Sequence, residues 1–213
     1  VEIGPGDGAL TELILQNSNY LKAFEIDKRF CEFLKKKYID SNFEVINKNF
    51  LEIELENIPI HENIIMGNLP YNVSSQIIIK IIESNLNYQH CVFLIQKELA
   101  NRFVKSSKSS KLSIQSQMFC DIETLFDIPP EAFDPEPKVN STVIKITPHI
   151  RYQKYIPHYS NFKKVLTICF ANPRKKIATA LKNINVDVSK LSFDINSRAE
   201  ELEINDYFEI LMQ

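Results

Sequence analysis

From residue 1 to residue 148 the chain alternates short β-rich runs with helical stretches, and that alternation leaves few folds open. Strand-like runs fall at 1–3, 21–25, 44–46, 64–66, 91–95, 124–128 and 142–146, with helical patterns at 9–16, 28–38, 74–84, 97–104 and 112–120 between them. Consecutive βα units of this kind close into a mostly parallel sheet with helices on both faces. The run Cys91-Val92-Phe93-Leu94-Ile95 is apolar throughout, as expected of a strand covered on both sides. After Pro148 the pattern is helical only, at 161–170, 174–182 and 206–211. A boundary is therefore expected between an α/β domain at 1–148 and a small helical domain at 149–213.

Composition allows this and narrows the function. A chain of 213 residues can bury a sizeable core, and no apolar stretch approaches the ~20 residues of a membrane span. A net charge of −2 argues against a general nucleic-acid coat, so any RNA partner must be met by local basic patches. Cys31, Cys91, Cys120 and Cys169 stand apart, with no CxxC pair and no histidine at metal-ligand spacing. They read as buried free thiols of a reducing compartment, and no metal site is expected. The opening Val1-Glu2-Ile3-Gly4 reads as the end of a strand already in progress, so a preceding segment is expected, and a targeting peptide within it stays open.

Glu2-Ile3-Gly4-Pro5-Gly6-Asp7-Gly8 follows the first strand and leads into the first helix. Glycines there let the backbone turn sharply and approach a ligand at the helix N-terminus. Gly4-x-Gly6-x-x-Ala9 fits the dinucleotide fingerprint, and Glu25 closes the next strand, where an acid accepts hydrogen bonds from ribose hydroxyls. Against a purely structural glycine turn, the constellation reads as a nucleoside cofactor on a doubly wound, Rossmann-like sheet. A dinucleotide pyrophosphate gains from a free helix N-terminus, whereas Glu2 sets a carboxylate beside the loop. That favours a cationic ligand without phosphate, such as S-adenosylmethionine. The E-x-G-x-G-x-G spacing resembles the first motif of class I methyltransferases.

Gly67-Asn68-Leu69-Pro70-Tyr71-Asn72 follows the apolar run Ile64-Ile65-Met66. Asn68-Leu69-Pro70-Tyr71 resembles the N/D-P-P-Y/F motif of methyltransferases that act on exocyclic or amide nitrogens. An exocyclic adenine amine is a poor nucleophile because its lone pair is delocalised into the ring. The Asn68 side-chain carbonyl and the Leu69 backbone carbonyl can each accept one N–H, orienting the nitrogen and favouring a pyramidal geometry. Pro70 fixes the bend, and Tyr71 offers a flat face to the base, with stacking worth roughly 1–3 kcal/mol. The competing reading is a proline turn that ends a strand, with Tyr71 merely packed.

The stretches EIGPGDGALT (2–11), FEIDKRF (24–30), GNLPYNVSSQ (67–76), LIQKELANRF (94–103), PPEAFDPEPKVNSTVIKI (129–146), CFANPRKKIATAL (169–181) and SRAEEL (197–202) together resemble one family along essentially the whole chain. It is the rRNA adenine N6-dimethyltransferases of the KsgA type, with the Erm methyltransferases as close relatives. The resemblance implies a class I methyltransferase fold with a helical RNA-binding domain. It implies S-adenosylmethionine as cofactor, with Gly4, Gly6 and Gly8 along its methionine side, Glu25 on its ribose and Ile26 against its adenine. Asn49 stands where the family usually has an aspartate for the adenine amine, so weaker cofactor affinity is expected, and the Phe50 N–H faces adenine N1. Asn68 and Leu69 are implied to hold the target N6, with Tyr71 and Phe133 stacking on the base. Phe133 as a core aromatic remains the alternative, although the prolines at 129, 130, 135 and 137 favour a stiff presented loop. A Gln-Asn-Phe-Leu motif that the family carries upstream is absent from this sequence, and reduced cofactor binding and activity are expected without it.

Basic residues supply the candidate RNA contacts. Lys97, Arg102, Lys105, Lys108 and Lys111 surround a serine-rich stretch that reads either as a phosphate-binding loop or as a solvated one. Lys138 lies in the proline-rich motif. Arg174-Lys175-Lys176 matches the family's basic C-terminal motif at an expected helix start, whereas Lys35-Lys36-Lys37 reads as a solvated helix face. The implied reaction is dimethylation of two adjacent adenosines in a stem-loop near the 3′ end of small-subunit rRNA. The expected protein is a monomer in the cytoplasm or an organellar matrix, without membrane or metal partners. A ribosome-assembly factor acting mainly by binding is the alternative. An NAD-dependent oxidoreductase would leave Asn68-Leu69-Pro70-Tyr71 unexplained.

Overall fold

Strands β1 (Glu2–Ile3), β2 (Leu21–Glu25), β3 (Phe43–Asn47), β4 (His61–Asn68), β5 (Asn87–Gln96), β6 (Cys120–Ile128) and β7 (Ser141–Pro148) form one sheet in the order β3-β2-β1-β4-β5-β7-β6. The computed structural model describes residues 1–55, 61–84, 86–104, 107–184 and 186–213. β1 through β5 run parallel, and β7 returns antiparallel beside β5, with Ser141 opposite Gln96. All the strands expected from sequence are present, and β4 and β5 run well beyond their apolar cores.

Helices α1 (Ala9–Gln16), α2 (Lys28–Lys37) and α3 (Ser74–Ile82) connect the parallel strands. Asp27 caps α2 by accepting the Arg29 N–H, and Lys35, Lys36 and Lys37 sit in its last turn, where cations complement the helix dipole. Cys31 and Leu34 of α2 pack on Ala23 and Val45. Ile77, Ile78, Ile81 and Ile82 form the buried stripe of α3, each contributing roughly 1.5–3 kcal/mol of burial. In β5, Cys91, Phe93 and Ile95 are fully buried, while Val92 and Leu94 are half-buried.

Residues 1–99 and 123–148 form one compact unit, and residues 100–122 with 149–213 form a second. The sequence boundary at 148 is thus joined by an earlier exchange. Its cause is apolar: Ile114 and Met118, on or just after α5 (Lys111–Gln117), share one core with Phe162, Leu166, Tyr207 and Phe208. The second unit contains most of α4 (Lys97–Phe103), then α5, α6 (Tyr159–Cys169), α7 (Ile177–Leu181) and α8 (Ile204–Leu211). The Tyr207 hydroxyl donates to the Ala199 carbonyl at 2.6 Å, inside the SRAEEL stretch, and the Ile177 N–H donates to Ser197 O. That motif therefore anchors the second unit's core.

The four cysteines are free and buried, as read from their spacing, and burial pushes the Cys169 thiol up to about 12. Among the described residues no helix is long and apolar enough to cross a membrane.

Candidate cofactor and target-base site

The sheet reverses its winding between β1 and β4, and doubly wound sheets bind ligands at the carboxyl ends of strands at such a point. The candidate residues follow those ends: Gly4, Gly6 and Gly8 after β1, Glu25 and Ile26 at β2, Asn49 and Phe50 after β3, Asn68 to Tyr71 at β4. Gly6 has φ +57° and open space where a side chain would start, whereas a Cβ on Gly8 would lie 2.8 Å from Leu34 Cδ2. The first glycine therefore leaves a cradle open, and the second lets α1 approach α2.

Glu25 is 6% exposed and holds the loop by its carboxylate: Oε2 accepts from the Gly6 N–H at 3.0 Å and Oε1 from the Asp27 N–H at 2.9 Å. Each oxygen keeps a further lone pair able to accept a hydrogen bond. Ile26 is exposed beside it. Asn49 caps a short 3₁₀ turn, its Oδ1 accepting the Leu51 N–H at 3.1 Å and its Nδ2 donating to Glu52 at 3.0 Å. The Phe50 ring is buried edge-on against Phe24. Glu2 is 1% exposed and turns inward, where Thr11 donates to its Oε2 at 2.7 Å. Burial raises its carboxyl above the usual carboxylate range. Its carboxyl lies beneath the loop.

Gly67 determines how β4 reaches the loop. A Cβ there would lie 2.5 Å from the Ile3 carbonyl oxygen, so only glycine admits this approach of β1 to β4. The Asn68 carbonyl oxygen lies 3.9 Å from where a Cβ on Gly4 would stand. The Asn68 side chain is exposed, and among the described residues no hydrogen bond engages it. Leu69 is buried and its N–H continues the ladder to Leu94 O, while the Pro70 carbonyl accepts from Val73 and Ser74 to start α3. Tyr71 is half-buried, its hydroxyl 2.7 Å from Ser141 Oγ. Phe133 is half-buried in the loop that leads into β7, outside the apolar core.

These residues match a known pattern along the chain. The ribosomal RNA adenine dimethylase model matches residues 1–212. The chain belongs to this family. Among curated relatives, the ribosomal RNA small subunit methyltransferase A of Sulfurihydrogenibium sp. is 38% identical, over 99% of this chain and 83% of its own. Its counterpart in Mycoplasmopsis synoviae is 36% identical, over 96% of this chain and 82% of its own. A dimethyladenosine transferase from Plasmodium falciparum superposes with a TM-score of 0.81 at 24% identity, covering 99% of this chain and 87% of that one. The 23S rRNA methyltransferase ErmE gives 0.79 at 19% identity, over 99% and 88%, and both shared folds agree with the α/β reading.

The basic candidates of this dimethylase chain divide into engaged and open side chains. Lys97 is paired with Asp127 at 2.5 Å and Lys108 with Glu200 at 2.6 Å, while Lys111 donates to Thr167 at 2.9 Å. Arg102 and Lys138 are exposed, and Lys105 lies outside the described residues. The helix expected from 174 begins only at Ile177; Arg174 and Lys175 sit in the preceding turn and Lys176 at the N-cap. Three cations in a first turn would oppose the helix dipole, which explains the late start. Lys176 donates to Asn196 Oδ1 at 2.9 Å. Sequence reading overlooked Gly67, Thr11 and the tie from Ser141 to Tyr71; the last joins residues 70 positions apart, and no local spacing signals such a contact.

Proposed function

We propose that the chain dimethylates N6 of two adjacent adenosines in a stem-loop near the 3′ end of small-subunit rRNA, with S-adenosylmethionine as methyl donor. Membership of the rRNA adenine dimethylase family supports the reaction class. The observation that carries the assignment of the target site is the exposed, unengaged Asn68 side chain at the end of β4, whose backbone carbonyl lies beside Gly4 at the sheet's switch point.

The open cradle at Gly6 and the inward Glu25 carboxylate fit a ligand with a ribose and a cationic, phosphate-free tail. When bound, this cofactor supplies an electrophilic methyl group. Gly4, Gly6 and Gly8 hold the chain end, Glu25 accepts the ribose hydroxyls, Ile26 covers the adenine, and Asn49 with the Phe50 N–H reads the adenine edge. Buried beneath them, Glu2 complements the positive charge. The Asn68 Oδ1 and the Leu69 carbonyl accept the two N–H groups of the target, which aims its lone pair at the cradle. Tyr71 and Phe133 sandwich the base. Arg174 and Lys175, with Arg102 and Lys138, meet phosphates of the small-subunit rRNA.

The test combines calorimetric titration of S-adenosylmethionine with methylation of small subunits that lack the modification. Cofactor binding and N6-dimethyladenosine in the rRNA are the expected results. Binding of NAD with none of S-adenosylmethionine would overturn the assignment. Subunit binding without methyl transfer would favour an assembly factor instead.

A further inference from the structure

Tyr71 is fixed at both ends. Its carbonyl accepts from Ser74 Oγ at 3.1 Å, and its phenol shares a 2.7 Å hydrogen bond with Ser141 Oγ. Ser141 is fully buried at the first position of β7, opposite Gln96 at the end of β5. That strand start is itself clamped. Thr142 Oγ1 donates to Asp127 at 2.6 Å, Lys97 Nζ bonds the same carboxylate at 2.5 Å, and the Lys97 N–H donates to Asn140 O at 3.0 Å. The hydroxyl that meets Tyr71 therefore stands on a braced strand, at the end of the loop that carries Phe133.

A tyrosine ring has two rotatable bonds, and a hydrogen bond at its tip restricts both. A base that stacks on a ring already held in place loses less conformational freedom on binding. We propose that Ser141 is a positioning residue that presets the Tyr71 ring for the target adenine, with its largest effect on the second methyl transfer. This rests on the reading of Tyr71 as a stacking ring for the target.

The asymmetry between the two transfers follows from counting N–H groups. The unmodified N6 has two, one each for the Asn68 Oδ1 and the Leu69 carbonyl. In the first transfer the nitrogen gains a bond to the methyl carbon as the carbon–sulfur bond breaks, and one proton leaves to water. The monomethylated nitrogen then has a single N–H. It is held by one acceptor instead of two, so stacking carries a larger share of its positioning. A loosened ring should therefore leave product stalled at one methyl.

Four variants test this on unmodified small subunits: Ser141→Ala, Tyr71→Phe, their combination, and Tyr71→Ala. Tyr71→Phe keeps the stacking face and removes only the half-buried hydroxyl, so it remains informative even if the buried Ser141 change lowers stability. Expected is a roughly 2–12-fold fall in kcat/KM for each of the first two, the range of one net hydrogen bond. N6-monomethyladenosine should accumulate in both, the double variant should be no worse than either single one, and cofactor affinity should be unchanged. Normal rates and a normal ratio of mono- to dimethylated product in Ser141→Ala and Tyr71→Phe, with Tyr71→Ala impaired, would overturn the positioning role and leave stacking intact. An unimpaired Tyr71→Ala would remove the stacking reading itself.

Discussion

Asn68 and Arg174 are both exposed polar side chains on family motifs, yet their supports differ. Asn68 ends a strand whose neighbours are fixed on either side, with Gly67 pressed against Ile3 and the Leu69 N–H bonded to β5. Arg174 stands in a turn ahead of α7, where Lys175 donates its N–H to Asn172 O. The first arrangement defines a direction for one side chain; the second presents charge over a surface. A reacting nitrogen needs the former and a phosphate backbone is served by the latter, so the two regions should respond to mutation in different observables.

The largest effect should come from Asn68→Ala. Losing a preorganised group that acts on the reacting atom costs on the order of 100–1000-fold in turnover. RNA affinity should change little, because in the proposed role the side chain meets only the target amine. Single-turnover methylation together with a filter-binding assay separates these, and an unchanged rate would show that the strand end does not orient the nitrogen. Next comes its support. Gly67→Ala places a Cβ against a backbone oxygen that cannot rotate away, and overpacking of this kind costs roughly 1–3 kcal/mol, or about 2–12 °C in melting temperature. Calorimetric melting checks it; a variant as stable as the parent would mean that β1 and β4 can separate freely.

On the RNA side the effects are smaller and of another kind. Arg174→Ala and Lys175→Ala should each weaken rRNA binding at low salt and reduce the slope of log affinity against log salt by roughly 0.7–0.9, without altering turnover at saturating RNA. Lys108→Ala should move that slope less, since its ammonium already meets Glu200 at 2.6 Å. Equal slopes for all these variants would erase the distinction between open and engaged cations.

That distinction also marks where sequence is informative. The parallel sheet could be read from apolar runs such as Cys91 to Ile95, because burial on both faces leaves a local signature. The glycine loop and Asn68-Leu69-Pro70-Tyr71 were legible for a similar reason: backbone geometry and amide chemistry demand particular residue types within a few positions. Lys97, by contrast, reads as a free cation until Asp127 is brought beside it by the pairing of distant strands. The joining of Ile114 to the C-terminal core was hidden likewise, since an apolar helical face does not name its partner. The late start of α7 was within reach, because Arg174-Lys175-Lys176 opposes the dipole of any helix it would begin.

Glu2 gives the smallest expected effect and joins the two kinds of support, being both buried and charged. Burial raises its folded-state pKa, despite the Thr11 hydroxyl, which pulls the other way. A carboxyl raised in the folded state contributes stability that is complete below its unfolded value and is lost as pH rises through the folded one. Cofactor-free protein should therefore gain melting temperature from Glu2→Gln at pH 8 and gain nothing below about pH 4, because the amide still accepts the Thr11 hydrogen bond. With S-adenosylmethionine bound the sign should reverse, since in the proposed site the carboxylate complements a cationic ligand and a neutral amide cannot. Melting curves at the two pH values, with and without cofactor, measure both. A parent whose cofactor-induced shift equals that of Glu2→Gln would reduce Glu2 to a loop anchor and remove the electrostatic argument for a cationic ligand at this loop.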